Sequence, residues 1–321
     1  MRMSSLANST IVGEEPVGRV SGTRSLVETT ITQLVGSSGH DVRDLLAAEE
    51  PLEIQLAYGP ADARQVKSIS VTMRTPGYDF ELAAGFLMTE GVVRDADDID
   101  RVWYATPYAD SVSEARQDSA LAYQPLNNIV RVELAAGVEV SLANLQRNFY
   151  TTSSCGVCGK ASLLALQTVC PPRVGNRFRI AASVLYGLPD KLREAQSVFD
   201  KTGGIHGAGL FDAAGELHLV REDVGRHNAV DKLLGFEFLA DRTPLRDRLL
   251  LLSGRASFEL MQKALMAGIP AVAAVGAPSS LAVQVARQFD ITLVGFLRGH
   301  HLNVYHGAER ILGVQEEQES R

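Results

Sequence analysis

Leu249-Leu250-Leu251-Leu252-Ser253-Gly254-Arg255-Ala256-Ser257 decides the fold of the back half of this chain. Four leucines in a row leave no polar side for solvent, so the strand they form is covered on both faces, as in an α/β sheet. The pattern recurs. A helix from Phe258 to Ala267 stops at Gly268 and leads to an apolar strand from Ala271 to Val275. A second helix, Leu281 to Phe289, leads to a strand from Ile291 to Phe296, and Leu302 to Tyr305 forms a last strand. Such alternation predicts a parallel sheet joined by right-handed crossovers. Upstream, Pro189-Asp190 opens a helix carrying Leu192, Ala195 and Phe199 and ended by Gly203-Gly204. A hairpin then pairs Gly207 to Phe211 with Glu216 to Val220, and a helix runs from His227 to Leu239.

The front half follows a different rule. Leu52-Glu53-Ile54-Gln55-Leu56 alternates apolar and polar residues, as do Ile69, Val71 and Met73 with Ser68, Ser70 and Thr72 opposite, which predicts half-buried strands. Thr75-Pro76-Gly77 makes a turn, and Asp79 caps a helix with Phe80, Ala83, Ala84 and Leu87 on its apolar face and Gly91 as its stop. Val92 to Arg101 is acidic and reads as a loop or edge, with a strand around Trp103. Strands Ile129 to Leu134 and Val138 to Leu142 turn at Ala136-Gly137. The expected organisation is a disordered tail over 1–17, a strand-rich α+β part over 18–150, a cysteine segment with a connecting helix over 151–180, and an α/β domain over 181–321.

Composition bounds the function. The 321 residues are 45% hydrophobic with a net charge of −7, which describes a soluble globular protein and disfavours broad nucleic-acid binding. No apolar run reaches the roughly 18 residues of a membrane span. Met1 to Gly22 lacks the apolar centre of a signal peptide, so the cytoplasm is the expected compartment. Three cysteines, Cys155, Cys158 and Cys170, build no disulfide framework.

Cys155-Gly156-Val157-Cys158 sits just before a helix from Ala161 to Val169. Amide N–H groups at a helix start favour a thiolate there. The pair can hold a metal, close a disulfide or relay sulfur. Zinc needs three or four ligands, and neither a second CxxC nor an HxxxH is present, so a zinc module is an incomplete reading. Cys170, before two prolines, reads as a packing residue.

Ligands of open α/β sheets bind at the carboxyl ends of the strands. Ser253-Gly254-Arg255-Ala256-Ser257 runs into a helix there, offering N–H groups and a guanidinium to a phosphate. Gly276-Ala277-Pro278-Ser279-Ser280 also runs into a helix, and Phe296 is followed by Leu297-Arg298-Gly299-His300-His301. Lys201-Thr202-Gly203-Gly204-Ile205-His206-Gly207 places an imidazole in a glycine loop, suited to proton transfer or to a cation beside a thiolate. In Glu222-Asp223-Val224-Gly225-Arg226-His227-Asn228, Asp223 can cap the following helix, and Arg226, Asp231 and Lys232 can form a surface ion-pair set.

Taken in order, these segments resemble the FdhD/NarQ family of formate dehydrogenase accessory sulfurtransferases. The resemblance rests on Glu50-Pro51-Leu52-Glu53-Ile54, Thr75-Pro76-Gly77, Glu81-Leu82-Ala83, Gly85-Phe86-Leu87 and Ser153-Ser154-Cys155-Gly156-Val157-Cys158-Gly159. It continues through Thr202-Gly203-Gly204-Ile205-His206, the Glu222 to Ala229 segment, Ser253-Gly254-Arg255 and Thr292 to Arg298. It implies a cytidine deaminase-like three-layer back half and a cytoplasmic carrier that takes persulfide sulfur from a cysteine desulfurase. The sulfur goes to the molybdenum bis(molybdopterin guanine dinucleotide) cofactor of formate dehydrogenase, with no intrinsic metal. It implies Cys155 and Cys158 as the sulfur-bearing pair, the persulfide on Cys155, and Phe296 to His301 as a cofactor-binding segment. Arg226, Arg255 and Arg298 would then hold the nucleotide phosphates beside His206, in a homodimer. A cofactor-binding chaperone that transfers no sulfur is the alternative.

Overall fold

The computed structural model describes residues 25–105, 127–140, 166 and 175–313. The expected tail over 1–17, both cysteines of the CxxC, Cys170 and the helix at Ala161 to Val169, apart from Leu166, lie outside the described residues. The architecture is α/β.

The front half opens with a hairpin that the sequence pattern does not announce. β1 (Leu26–Val35) and β2 (Ser38–Ala47) pair over their whole length as a two-stranded sheet. Residues 31–41 are exposed or nearly so on both faces, so no buried side imposes an alternation that could be read. β3 (Glu50–Tyr58), β4 (Gln65–Arg74), β5 (Ile99–Tyr104) and β6 (Ile129–Leu134) form a four-stranded sheet in the order β4-β3-β6-β5. Leu52, Ile54 and Leu56 turn inward as expected. In β4 the expected alternation fails. Ile54 pairs with Ser70 and Gln55 with Ser68, so Ile69 is an extra residue in a bulge. Parity flips there: Ile69 is buried, whereas Val71 and Met73 are 68% and 46% exposed. Val138 to Val140 form no strand after the turn, and Leu142 lies outside the described residues.

α1 (Asp79–Thr89) follows the turn at Thr75-Pro76-Gly77, but Asp79 does not cap it. Tyr78, at φ 59, holds the cap position, while the buried Asp79 carboxylate accepts from Arg74 Nε and Nη2, each at 3.0 Å, and from the Tyr104 hydroxyl at 3.1 Å. The buried Arg74 guanidinium is a stronger claimant on that carboxylate than a backbone amide.

In the back half, β7 (Ile180–Ala181) leads into α2 (Ala182–Ala195), which starts well before Pro189 and carries it in its interior. Leu185, Leu188 and Leu192 bury one face and outweigh the hydrogen bond that proline cannot donate. Gln196 breaks the helix, and α3 (Ser197–Thr202) ends at Gly203. Then come β8 (His206–Phe211), β9 (Leu217–Asp223), α4 (Arg226–Leu239), β10 (Leu249–Leu252), α5 (Phe258–Met266), β11 (Ala271–Ala274), α6 (Ser280–Gln288), β12 (Thr292–Arg298), β13 (His301–His306) and β14 (Ile311–Leu312). β14 pairs with β7. The main sheet runs β13-β12-β11-β10-β8-β9. Only its centre is parallel: β10, β11 and β12 run together, while β8, β9 and β13 are antiparallel to their neighbours. The expected parallel sheet is therefore a mixed one, because the hairpins at each flank return by short turns that allow no crossover.

The two halves share a core in which Leu52, Ile54 and Val132 of the front sheet join Leu210, Leu250 and Val272 of the back one. Its centre is the crossing of α1 and α4. A Cβ on Gly85 would lie 1.9 Å from the Asp231 carbonyl oxygen, and one on Gly235 1.8 Å from that of Glu81. Only glycine lets these backbones come so close.

Candidate functional site

Strand direction gathers the candidate residues. The carboxyl ends of β10, β11 and β12 share one edge of the sheet with the amino ends of β8 and β13 and the carboxyl end of β9. His206 opens β8 opposite Asp223, Ser253-Gly254-Arg255 follow β10, and Arg298 and His301 face each other across the β12–β13 turn. At about 4.8 Å per strand, β8 to β12 spans about 14 Å, room enough for a nucleotide.

The loops at this edge are tied to one another by backbone hydrogen bonds. Ser253 N donates to Gly207 O at 3.0 Å, Gly276 N to Gly254 O at 3.0 Å and Phe296 N to Gly276 O at 3.1 Å. Gly207 N donates to Ser253 Oγ at 2.9 Å, so that hydroxyl closes the β8–β10 junction. Ser279 caps α6, its side chain accepting from Ala282 N at 3.2 Å. The second glycine loop thus spends its polar side chain on structure. Arg255 differs: its Cγ lies 3.1 Å from where a Gly276 Cβ would be, which fixes the stem while the exposed guanidinium makes no ion pair among the described residues. Arg226, at the first position of α4, and the exposed Arg298 have none there either. Three uncompensated guanidiniums at one edge suit an anionic ligand.

Phe296 is held at φ 53, a left-handed conformation costly for a side chain with a Cβ, inside the bulge where Gly295 pairs with Asn303 and Arg298 with His301. Backbone strain of this kind concentrates at functional sites. Leu297 turns its side chain into a separate core of the back half, with Leu185, Leu251 and Val294, so within Phe296 to His301 it can offer a ligand only its backbone. Gly299, His300 and His301 are exposed, and His300 meets Tyr186 of α2 edge-on at 5.3 Å.

His206 lies against Gly254, where an added Cβ would stand 3.5 Å from Nδ1. Burial, then the charges of Arg226 and His227, push its pKa below the ordinary imidazole value, with Asp223 opposing. A neutral imidazole here can accept a proton. His227 also faces Glu259 of α5, Nε2 to Oε2 3.9 Å, and with the helix-start amide holds that carboxyl down at about 2. The pair is half exposed, so it fixes ionisation more than it adds stability.

The profile of the FdhD/NarQ family matches residues 47–312. The chain belongs to that family. A protein named sulfur carrier protein FdhD from Streptomyces avermitilis is 52% identical over 270 residues, covering 84% of this chain and 89% of its own. The protein of that name from Mycobacterium tuberculosis is 52% identical over 269 residues, covering 84% and 92%. One from Saccharolobus solfataricus is 36% identical over 281 residues, covering 88% and 96%. A crystal structure from Desulfotalea psychrophila, described as a formate dehydrogenase accessory protein, superposes with a TM-score of 0.65 at 22% identity over 89% of this chain and 99% of that one. That likeness concerns the fold.

FdhD/NarQ segments far apart in the sequence meet around one carboxylate, Asp223, whose place before α4 suggests no more than a helix cap. Asp223 Oδ1 accepts from Gly225 N at 2.8 Å and Asn228 Nδ2 at 3.0 Å, but Gly225 holds the cap position of α4 and no side chain caps that helix, so the expected Asp223 cap does not form. Its Oδ2 accepts from Thr75 N at 3.1 Å and pairs with Lys232 Nζ at 2.6 Å. Lys232 also donates to Thr75 O at 2.8 Å, and Val224 N to Thr75 Oγ1 at 3.1 Å. The surface ion-pair set expected of Arg226, Asp231 and Lys232 does not form. Lys232 is 1% exposed and belongs to Asp223, while buried Asp231 pairs with Lys263 at 2.9 Å. Both sit on the helix face pressed against α1, where the Gly85 crossing excludes water. Arg226, one turn earlier, is left to the sheet edge. The short spacing of charges on α4 carried no sign of partners more than 140 residues away.

Proposed function

We propose that this FdhD/NarQ chain is a cytoplasmic sulfur carrier serving formate dehydrogenase. The observation that carries the reading is the set of guanidiniums of Arg226, Arg255 and Arg298, unpaired among the described residues, at the sheet edge that holds His206 and the strained Phe296. The names of relatives that match most of the chain support sulfur transfer. The acceptor is molybdenum bis(molybdopterin guanine dinucleotide), whose guanine-nucleotide phosphates suit the three arginines and whose second nucleotide suits a second copy of the chain.

In the proposed sulfurtransferase cycle the Cys155 thiolate attacks the outer sulfur of a desulfurase persulfide. A Cys155 persulfide forms and the desulfurase thiolate leaves. Cys158 thiolate then attacks Sγ of Cys155 as the outer sulfur departs to the acceptor as hydrosulfide. The two thiols are oxidised to a disulfide, the sulfur is reduced, and two cellular thiols, which leave as their own disulfide, return the pair to its starting state. His206, neutral, takes up a proton released at the edge.

Incubation with a cysteine desulfurase and cysteine should add sulfur to the wild type, seen by intact mass, and none to Cys155→Ala/Cys158→Ala. That variant should also fail to activate formate dehydrogenase while still binding GDP. Retained activation would replace sulfur transfer with cofactor chaperoning, and a wild type free of adduct would overturn the carrier reading.

A further inference from the structure

α3 lies directly ahead of the His206 loop and is held at its start by a residue from another strand. The N–H groups of Val198 and Phe199 donate to Glu222 Oε2 and Oε1 at 2.9 and 2.8 Å. A carboxylate on two free amides of a helix's first turn is a strong cap. Glu222 sits on β9 opposite Gly207, the residue after His206, so the cap ties α3 to the strand pair that carries the imidazole. At the other end, Thr202 Oγ1 donates to Val198 O at 2.9 Å and accepts from Gly204 N at 3.3 Å, with Gly203 left-handed at φ 64. Gln196, 4% exposed, lies across Gly207, its Nε2 2.5 Å from where a Cβ would be. β2 packs on the helix as well. α3 is thus clamped, and only Gly203, Gly204 and Ile205 separate it from His206.

We propose that Glu222 is a positioning residue for the site: acting through α3, it fixes the Gly203 to Ile205 loop and so seats His206 against Gly254 beside Arg226 and His227. The inference rests on the reading of this edge as a ligand site only for its consequence in binding. The seating of His206 is a property of the free protein.

A capping role and a charge role predict opposite results. The groups that face His206 are Arg226 and His227 on α4, Asp223 on β9 and the Gly254 backbone after β10. Were Glu222 a distant negative charge sustaining His206, its removal would lower the imidazole's midpoint further. If it holds the loop, removal lets His206 into water and away from Arg226, and the midpoint rises toward the ordinary value.

The test is a titration of the histidine Cε1 protons by NMR in the full-length protein, with GDP affinity by calorimetry. Glu222→Gln, which keeps one acceptor for two amides, should raise the His206 midpoint. Glu222→Ala should raise it more and weaken GDP about tenfold, the cost of a loop that must be ordered on binding. Val132→Ala, which opens a cavity in the front sheet, should lower Tm and leave the His206 midpoint in place. An unchanged or lowered midpoint in Glu222→Gln, or an equal rise in Val132→Ala, would overturn the proposal. Glu222→Gln decides it alone where Glu222→Ala does not fold. A wild type that ignores GDP would remove the nucleotide reading and still leave the titration to decide the positioning role.

Discussion

At the scale of single residues, the sheet edge is built of side chains whose state depends on what is withheld from them. His206 has burial and two neighbouring cations against it and one carboxylate for it, and its pKa falls. Because the folded value lies below the unfolded one, the folded protein binds fewer protons near neutral and mildly acidic pH. This stability is present above the unfolded value of about 6.5 and is lost as pH falls through the folded one. His206→Gln should therefore flatten the loss of Tm on going from pH 7.5 to 5, with the gap between wild type and variant read by thermal unfolding at each pH. Phe296 allows an equally direct check. Glycine is ordinarily worse than alanine in a strand, but at φ 53 alanine keeps the strain and glycine releases it. Phe296→Gly should be more stable than Phe296→Ala by about 1 kcal/mol in urea unfolding. The arginines were legible because glycine and serine neighbours gave them no apolar face to serve. Asp223 was not, because its partners Thr75 and Lys232 come from two other segments.

Elements were legible wherever one face or both are uniformly buried. β10, β11 and α5 lie within a residue or two of their expected ends, since leucine, alanine and valine runs admit no other reading. The failures have local causes. β1 and β2 are exposed on both faces over their outer half, and the bulge at Ile69 reverses β4 without any change in composition. Helix packing was invisible in another way. Gly85 and Gly235 have poor helix propensity and no side chain to signal packing, yet they are where α1 and α4 touch. Gly85→Ala should cost more than the roughly 1 kcal/mol that alanine gains in an isolated helix, because the backbones must part by more than 1 Å and reopen the shared core. Lost soluble yield, or a Tm drop of many degrees, is the expected result; a variant as stable as wild type would show that the crossing is looser than described.

At the scale of the molecule, the question is whether front sheet and back sheet are one cooperative unit. The shared core and the buried Asp223–Lys232 pair both argue that they are. The pair is inside, at 0% and 1% side-chain exposure, and each partner also bonds to Thr75 from the front half. Buried pairs need not add stability over apolar replacements, but breaking one leaves a charge with no water, at about 3–5 kcal/mol. Lys232→Met should cost on that order, and adding Asp223→Asn should return part of it. The chain's single tryptophan, Trp103, lies in β5 of the front sheet beneath Arg101 and Arg131, so its fluorescence follows the front half alone. Far-UV circular dichroism follows both halves. The two signals should trace one urea transition with a common midpoint in the wild type. They should shift together in Lys232→Met, since a core that spans both sheets leaves neither half able to unfold first; a fluorescence midpoint ahead of the dichroism would mean that the front sheet opens on its own.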